Sequence, residues 1–165
     1  PNNKNIIMAA EQSVSLTKDR NVVVIPSKTI PQGISAMLTF NPDVSLEENI
    51  QAMKCDMAKV ETGQITFAAR DSEFGGFKIK EGNILALSNG KLVFTESDPV
   101  KAAIKLIKSM VKRETEYITV IYGESIVKDQ ADELLNFLNA KYNGKIDINI
   151  VEGNQPIYHF IISFE

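Results

Sequence analysis

The apolar pattern changes period along the chain, and each change marks an element. Val22-Val23-Val24-Ile25 is a β-branched run with no polar alternation. That pattern predicts a strand buried on both faces, as in a helix-covered parallel sheet. Pro26 ends it, having no N–H to give to a ladder. Residues before proline are pushed out of the helical region, so Ile25 and Ile30 are expected extended. Pro31 suits the first turn of a helix, where its missing donor costs little. Ser27, Lys28 and Thr29 therefore fall on a stiff loop at a strand's carboxyl end, facing a helix N-terminus. Open α/β sheets form crevices for ligands and partners at such places.

Around that segment the period is helical. Ile7, Ala10 and Val14 predict a short helix, with the Asn residues before it as caps. Ile34, Met37 and Leu38 give a second helix one apolar face, and Asn41-Pro42-Asp43 breaks it. Ser45-Leu46-Glu47-Glu48 is a capping box. Leu46, Ile50, Met53, Met57 and Val60 follow as a regular stripe, with Cys55 on the opposite side.

At Thr62-Gly63 the period turns to alternation, which places a domain boundary between residues 1–61 and 62–165. Ile65, Phe67 and Ala69 alternate with Thr66, Ala68 and Arg70. Phe74-Gly75-Gly76-Phe77 predicts a bend or bulge. Asn89-Gly90 between apolar runs is a strong hairpin signal, so this region is an antiparallel meander. Asp98-Pro99 opens a helix with Val100, Ile104, Ile107 and Val111 on one face. Tyr117–Tyr122 predicts a central strand, followed by a helix through Ala131, Leu134, Leu138 and Tyr142 that ends at Asn143-Gly144. Residues 146–150 and 158–164 are the last strands. The fold class is α/β: helix–strand–helix–helix, then βββ(β)αβαββ.

The chain has 165 residues, 44% of them hydrophobic, enough for a packed core. Net charge is -3, which gives no general attraction for nucleic acid or anionic membrane. A single cysteine, Cys55, excludes an internal disulfide and fits a reducing, cytoplasmic setting. No apolar run approaches the roughly 18 residues of a membrane span. Pro1 is no initiator, so the chain reads as a piece of a longer protein.

Candidate chemistry is sparse. Gly33-Ile34-Ser35-Ala36-Met37 lacks the final glycine of a nucleophile elbow and sits in a helix. His159, the one histidine, lies in an apolar strand and reads as a packed or edge-strand residue. No P-loop or Gly-x-Gly-x-x-Gly is present. The sequence thus offers no catalytic constellation and no metal set. Asp71 and Glu73 follow a strand, Glu114 and Glu116 flank another, and Asp129, Asp132 and Glu133 fall in a helix first turn. They are either solvated faces or parts of an acidic groove for a basic partner. Lys101, Lys105, Lys108 and Lys112 form a stripe that reads as a solvated helix face, since no aromatic residues interleave. Tyr122-Gly123-Glu124 repeats the strand-end, loop, helix arrangement of Ser27-Lys28-Thr29.

Five segments carry a resemblance: Pro1–Ile6, Pro26–Gly33, Thr62–Asp71, Ile121–Glu124 and Gly153–Tyr158. Together they resemble the C-terminal region of the kinase subunit of bacterial fatty acid kinase, whose N-terminal domain is dihydroxyacetone-kinase-like. Ser27 stands where that family is expected to have Thr, and it keeps the hydroxyl. The resemblance implies two DegV-like α/β subdomains, the first represented only by its remainder. It implies that ATP and magnesium belong to a domain outside this chain, with no catalytic residue and no cofactor here. The implied role is to dock a DegV-type fatty-acid-binding protein, so that the bound fatty acid is phosphorylated to acyl phosphate for phospholipid synthesis. On that reading Asp71, Glu73, Glu124, Asp129 and Glu152 meet the partner. Ser27, Lys28, Thr29, Gln32, Tyr122 and Gln155 form the cleft loops. Two alternatives stand beside it: a domain that itself holds a fatty acid, anchored at Ser27, Lys28 and Thr29, and an enzyme acting on a small anion at that loop.

Overall fold

Local signals set the helix ends. In the computed structural model, which describes residues 1–74 and 77–165, helix α1 spans Lys4–Leu16 and is capped by Asn3, whose Oδ1 accepts the Ile6 N–H at 3.0 Å. Helix α2 spans Ile30–Thr39 behind the Thr29 cap, and α3 spans Leu46–Lys59 behind the full Ser45/Glu48 capping box. The Ser45 hydrogen bonds hold the Glu48 carboxyl below its usual range. Asn49 is buried and closes the α2–α3 turn: its Nδ2 donates to Asn41 O at 2.7 Å and its Oδ1 accepts from Asn41 N at 2.8 Å. Asp56 joins the two helices, accepting from Thr39 Oγ1 at 2.8 Å and pairing with Lys59 at 2.6 Å. Cys55 is exposed.

Two expectations fail here. Val22–Ile25 forms no strand and makes no ladder, because no neighbouring strand lies beside it among the described residues. Ile30 is the first residue of α2, not an extended one, and Thr29 takes the extended cap position instead. Pro31 does occupy the helix start, so the breaker acts one residue earlier than the pre-proline rule suggested.

The chain divides into two compact units, Pro1–Val60 and Glu61–Glu165. The second is built on strands β1 (Glu61–Phe67), β4 (Ile84–Ser88), β5 (Lys91–Glu96), β6 (Tyr117–Tyr122), β7 (Asp147–Glu152) and β8 (Tyr158–Phe164). Their order is β5-β4-β1-β8-β6-β7, with every neighbouring pair antiparallel except β6–β7. A separate ribbon pairs β2 (Ser72–Phe74) with β3 (Phe77–Ile79); the bend expected at Gly75-Gly76 lies outside the described residues. These two short strands extend the meander beyond the expected layout.

The hairpin between β4 and β5 has Asn89 and Gly90 both at positive φ (49° and 78°), the backbone of a type I′ turn. The following turn belongs to helix α4 (Pro99–Met110), whose Asp98 cap accepts the Lys101 N–H at 2.7 Å. Helix α5 (Lys128–Tyr142) stops at Asn143 and Gly144, both left-handed. Both helices bury their apolar faces against the sheet, where Leu106, Ile107, Leu134 and Leu138 meet Ile65, Ile118, Val120, Phe160 and Ile162. The α5 first turn holds Asp129 only; Asp132 and Glu133 fall in the second, because the helix begins at Lys128.

The lysine stripe is not simply solvated. Lys105 Nζ sits 4.3 Å over the Phe94 ring, Lys108 Nζ 4.8 Å over Phe137, and Lys112 pairs with Glu61 at 2.6 Å. The aromatics absent from the stripe's own sequence come from β5 and α5.

Candidate functional site

One end of the six-stranded sheet gathers most of the residues singled out by sequence. Tyr122, the last residue of β6, is the register partner of Glu152 on β7 and of Phe160 on β8. Thr66, near the end of β1, pairs with Tyr158, so β1 finishes at this same end and the β2–β3 ribbon leaves from it. Asp71, Glu73, Tyr122, Glu124, Asp129, Glu152 and Gln155 therefore all lie at the end of the sheet where the parallel strands terminate. All five carboxylates are exposed. Asp71 Oδ1 accepts the Glu81 N–H at 2.7 Å, which fixes the base of the ribbon. The Tyr122 phenol is pushed up by partial desolvation first, then by the carboxylates of Glu152 and Asp132.

The loop that presents Glu124 is held from below. Gly123 donates its N–H to His159 O at 2.9 Å, and Glu124 to Gln155 O at 3.2 Å. Gln155 Nε2 returns a bond to Ile121 O at 3.0 Å, and Gly153 N–H reaches Tyr122 O at 2.9 Å. A Cβ on Gly123 would come within 3 Å of the carbonyl oxygens of Tyr158 and Gln155. Glycine is required here for close approach of two backbones. Past the loop, Gln130 Oε1 accepts the Val127 N–H at 3.2 Å and closes the first turn of α5.

A pair that sequence reasoning missed sits behind the loop. Ser125 Oγ lies 2.6 Å from His159 Nδ1, across 34 residues of sequence. His159 is the extra residue of a β-bulge: Ile65 pairs with Phe160 and Thr66 with Tyr158, leaving His159 unopposed. The same shift breaks the alternation in β1, so Phe67 and Ala69 are exposed while Ala68 is buried. The strand is interior, between β1 and β6, so His159 is packed rather than at an edge. Its ring leans on Phe67 at 5.9 Å, and burial lowers its pKa. Nε2 is buried and has no partner among the described residues. Ser125 Oγ and His159 Nδ1 share one hydrogen bond, whose direction follows the ring tautomer. No carboxylate among the described residues bonds Nε2. The bond clasps the loop to the β8 bulge.

The Ser27 loop belongs to the first unit and is committed to internal bonds. Ser27 is buried and its hydroxyl donates to Pro1 O at 2.7 Å. Thr29 is buried as the α2 cap, and Gln32 Oε1 accepts the Lys28 N–H at 3.0 Å. Gln32 Nε2 reaches Val60 O at 3.4 Å. The expected pair of anion-binding hydroxyls is therefore turned inward, with only Lys28 exposed. Among the described residues, no three or more His, Cys, Asp or Glu side chains are grouped to hold a metal, and no helix is long and apolar enough to cross a membrane.

Comparison with known proteins identifies the family and the fold. The FakA-like C-terminal family model, which describes that region of a fatty acid kinase subunit, matches residues 1–165. Protein YloV of Bacillus subtilis (strain 168) is 42% identical over the whole chain, and a Staphylococcus aureus (strain USA300) protein is 38% identical. The chain spans 30% of the length of each. In fold it is similar to a fatty-acid-binding DegV family protein from Thermus thermophilus (TM-score 0.62, 12% identity). That match covers 98% of this chain and 67% of the other. A fatty-acid-binding DegV family protein from Streptococcus agalactiae gives a TM-score of 0.60 at 15% identity, over 98% and 65% of the two chains.

Proposed function

Because the chain belongs to the FakA-like C-terminal family of fatty acid kinase, we propose that it is the docking module of such a kinase. It engages a DegV-type fatty-acid-binding protein, whose cargo is phosphorylated by a part of the kinase outside this chain. The observation that carries the reading is the gathering of Glu124, Asp129 and Glu152 with Asp71 and Glu73 at one sheet end. The loop beneath them is pinned by backbone bonds. Exposed carboxylates on a rigid frame set on-rate and register for a basic partner face, and add less to affinity. ATP and magnesium belong, on this reading, to the remaining part of the full-length kinase. The same reading puts the chain in the cytoplasm, where fatty acids are activated for phospholipid synthesis.

The test is association of the full-length kinase with its fatty-acid-binding partner, measured by stopped flow at several salt concentrations. Glu124→Lys with Glu152→Lys is expected to slow association at least about tenfold at low salt, with the difference shrinking as salt screens the charges. An association rate indifferent to both the reversals and the salt overturns the docking reading.

A further inference from the structure

Carboxylates on a rigid frame speed an encounter but add little to its lifetime. The same end of unit 2 also carries apolar groups. Among the described residues of that unit, six large hydrophobic side chains are exposed: Phe67, Val93, Tyr117, Val127, Val151 and Ile157. Four of the six lie at the Tyr122–Glu152 end of the sheet. Phe67 is the last residue of β1 and Val151 the next-to-last of β7, while Ile157 immediately precedes β8 and Val127 immediately precedes α5. The other two lie elsewhere, Val93 midway along β5 and Tyr117 at the start of β6. Apolar side chains scattered singly over a surface need no explanation, but a gathering at one end of a sheet marks a contact.

The backbone that carries these groups is fixed. Thr66 Oγ1 donates to Ile157 O at 2.8 Å, tying the approach to β8 to the end of β1. The Phe67 ring leans on His159, which is bonded to Ser125, two residues before Val127. Just past Val151, Gly153 N–H donates to Tyr122 O at 2.9 Å. Groups ordered in advance lose little entropy when a partner covers them. Exposed charge flanks each of them. Glu152 follows Val151 directly, Glu124 and Asp129 stand on either side of Val127 in sequence, and Asp71 and Glu73 follow Phe67. The nearest cations in sequence, Arg70 and Lys128, are fewer. Apolar groups bordered by exposed charge have the anatomy of a protein interface. An anionic lipid surface fits badly, since the carboxylates would repel its headgroups. The surface that fits is an apolar patch bordered by Lys or Arg.

We infer that Phe67, Val127, Val151 and Ile157 are the apolar anchors by which this unit grips the fatty-acid-binding partner, through a matching apolar patch bordered by basic residues. The inference rests on the docking reading and divides the work within it. The carboxylates govern how fast the pair forms, and the anchors govern how long it lasts.

Association and dissociation of the full-length kinase and that partner, followed separately by stopped flow, test it. Phe67→Ala and Ile157→Ser are each expected to speed dissociation at least about fivefold, with the association rate held within about twofold at every salt concentration. Val93→Ser removes an exposed apolar group away from the rim and is expected to change neither rate. Ile157 lies outside any strand, so its variant carries the test even where circular dichroism shows Phe67→Ala to be unfolded. Dissociation indifferent to Ile157→Ser, or hastened as much by Val93→Ser, overturns the inference and leaves the docking reading standing. No association between the unmodified kinase and the partner sinks both. Substitutions that alter only the sedimentation mass of the kinase itself assign the anchors to a second copy, which also overturns the inference.

Discussion

Replacing Gly123 with alanine tests the geometry of the acidic end directly. The added methyl would meet the carbonyl oxygens of Tyr158 and Gln155, both backbone atoms that cannot rotate away. The loop must lift, and lifting it stretches the bonds from Gly123 N–H to His159 O and from Glu124 N–H to Gln155 O. Each is worth about 1 kcal/mol net, more if its groups stay buried without water. Against this, alanine restricts the unfolded chain and returns about 0.4–1 kcal/mol. The balance is a loss of about 1–3 kcal/mol, which for a unit of this size lowers Tm by roughly 5–15 °C. Urea denaturation followed by far-UV circular dichroism gives the free energy, and partner association gives the function. Because Glu124 rides on the displaced backbone, association should slow even where the fold survives. A neutral or stabilising Gly123→Ala variant would refute the reasoning, since it would mean the two backbones do not approach so closely.

The clasp behind the loop predicts a pH dependence. Burial depresses the folded pKa of His159 below its unfolded value of about 6.5. The folded form therefore binds fewer protons, and stability falls as pH drops below about 6.5, levelling once the folded pKa is passed. His159→Gln cannot titrate, so its stability between pH 7 and 5 should be flatter than that of the parent chain; equal slopes would reject the assignment. In unit 1, Asn49→Ala removes the bonds to both Asn41 backbone groups. A loss of about 2–3 kcal/mol is expected in urea unfolding, with faster amide exchange confined to residues 40–50; uniform exchange along the chain would contradict a local role.

Elements closed by nearby residues were legible in the sequence. The Ser45/Glu48 box, the Asp98 cap, the Asn89-Gly90 turn and the Asn143-Gly144 stop each complete their hydrogen bonds within a few positions. What depended on distant partners was not. The apolar run at Val22–Ile25 states a preference for burial, but a ladder needs a neighbour that a single stretch cannot name. The lysine stripe looked bare because Phe94 and Phe137 come from other elements. At the candidate site, the carboxylates were found individually, while their assembly at one sheet end followed only from strand order. Of the two places the sequence allows His159, packed or on an edge strand, the sheet order selects the first, but the bulge that turns it toward Ser125 leaves no mark in the local pattern. In the Ser27 loop, the inward turn of the Ser27 and Thr29 hydroxyls depends on Pro1 and the α2 start, which the local pattern does not mark.

The pairing of Glu61 with Phe164 has a consequence for how this unit can be used. β1 starts where β8 finishes, so the chain enters and leaves unit 2 at neighbouring points. Register partners lie only about 5 Å apart between Cα atoms. The Tyr122–Glu152 rim is at the opposite end of the same strands. Such a unit is a plug with both leads on one side: a short linker could join its ends and new ends be opened at Asn89-Gly90, or the whole could be spliced into a host loop. In either rearrangement, the working end would keep its shape, because nothing that builds it runs through the joint.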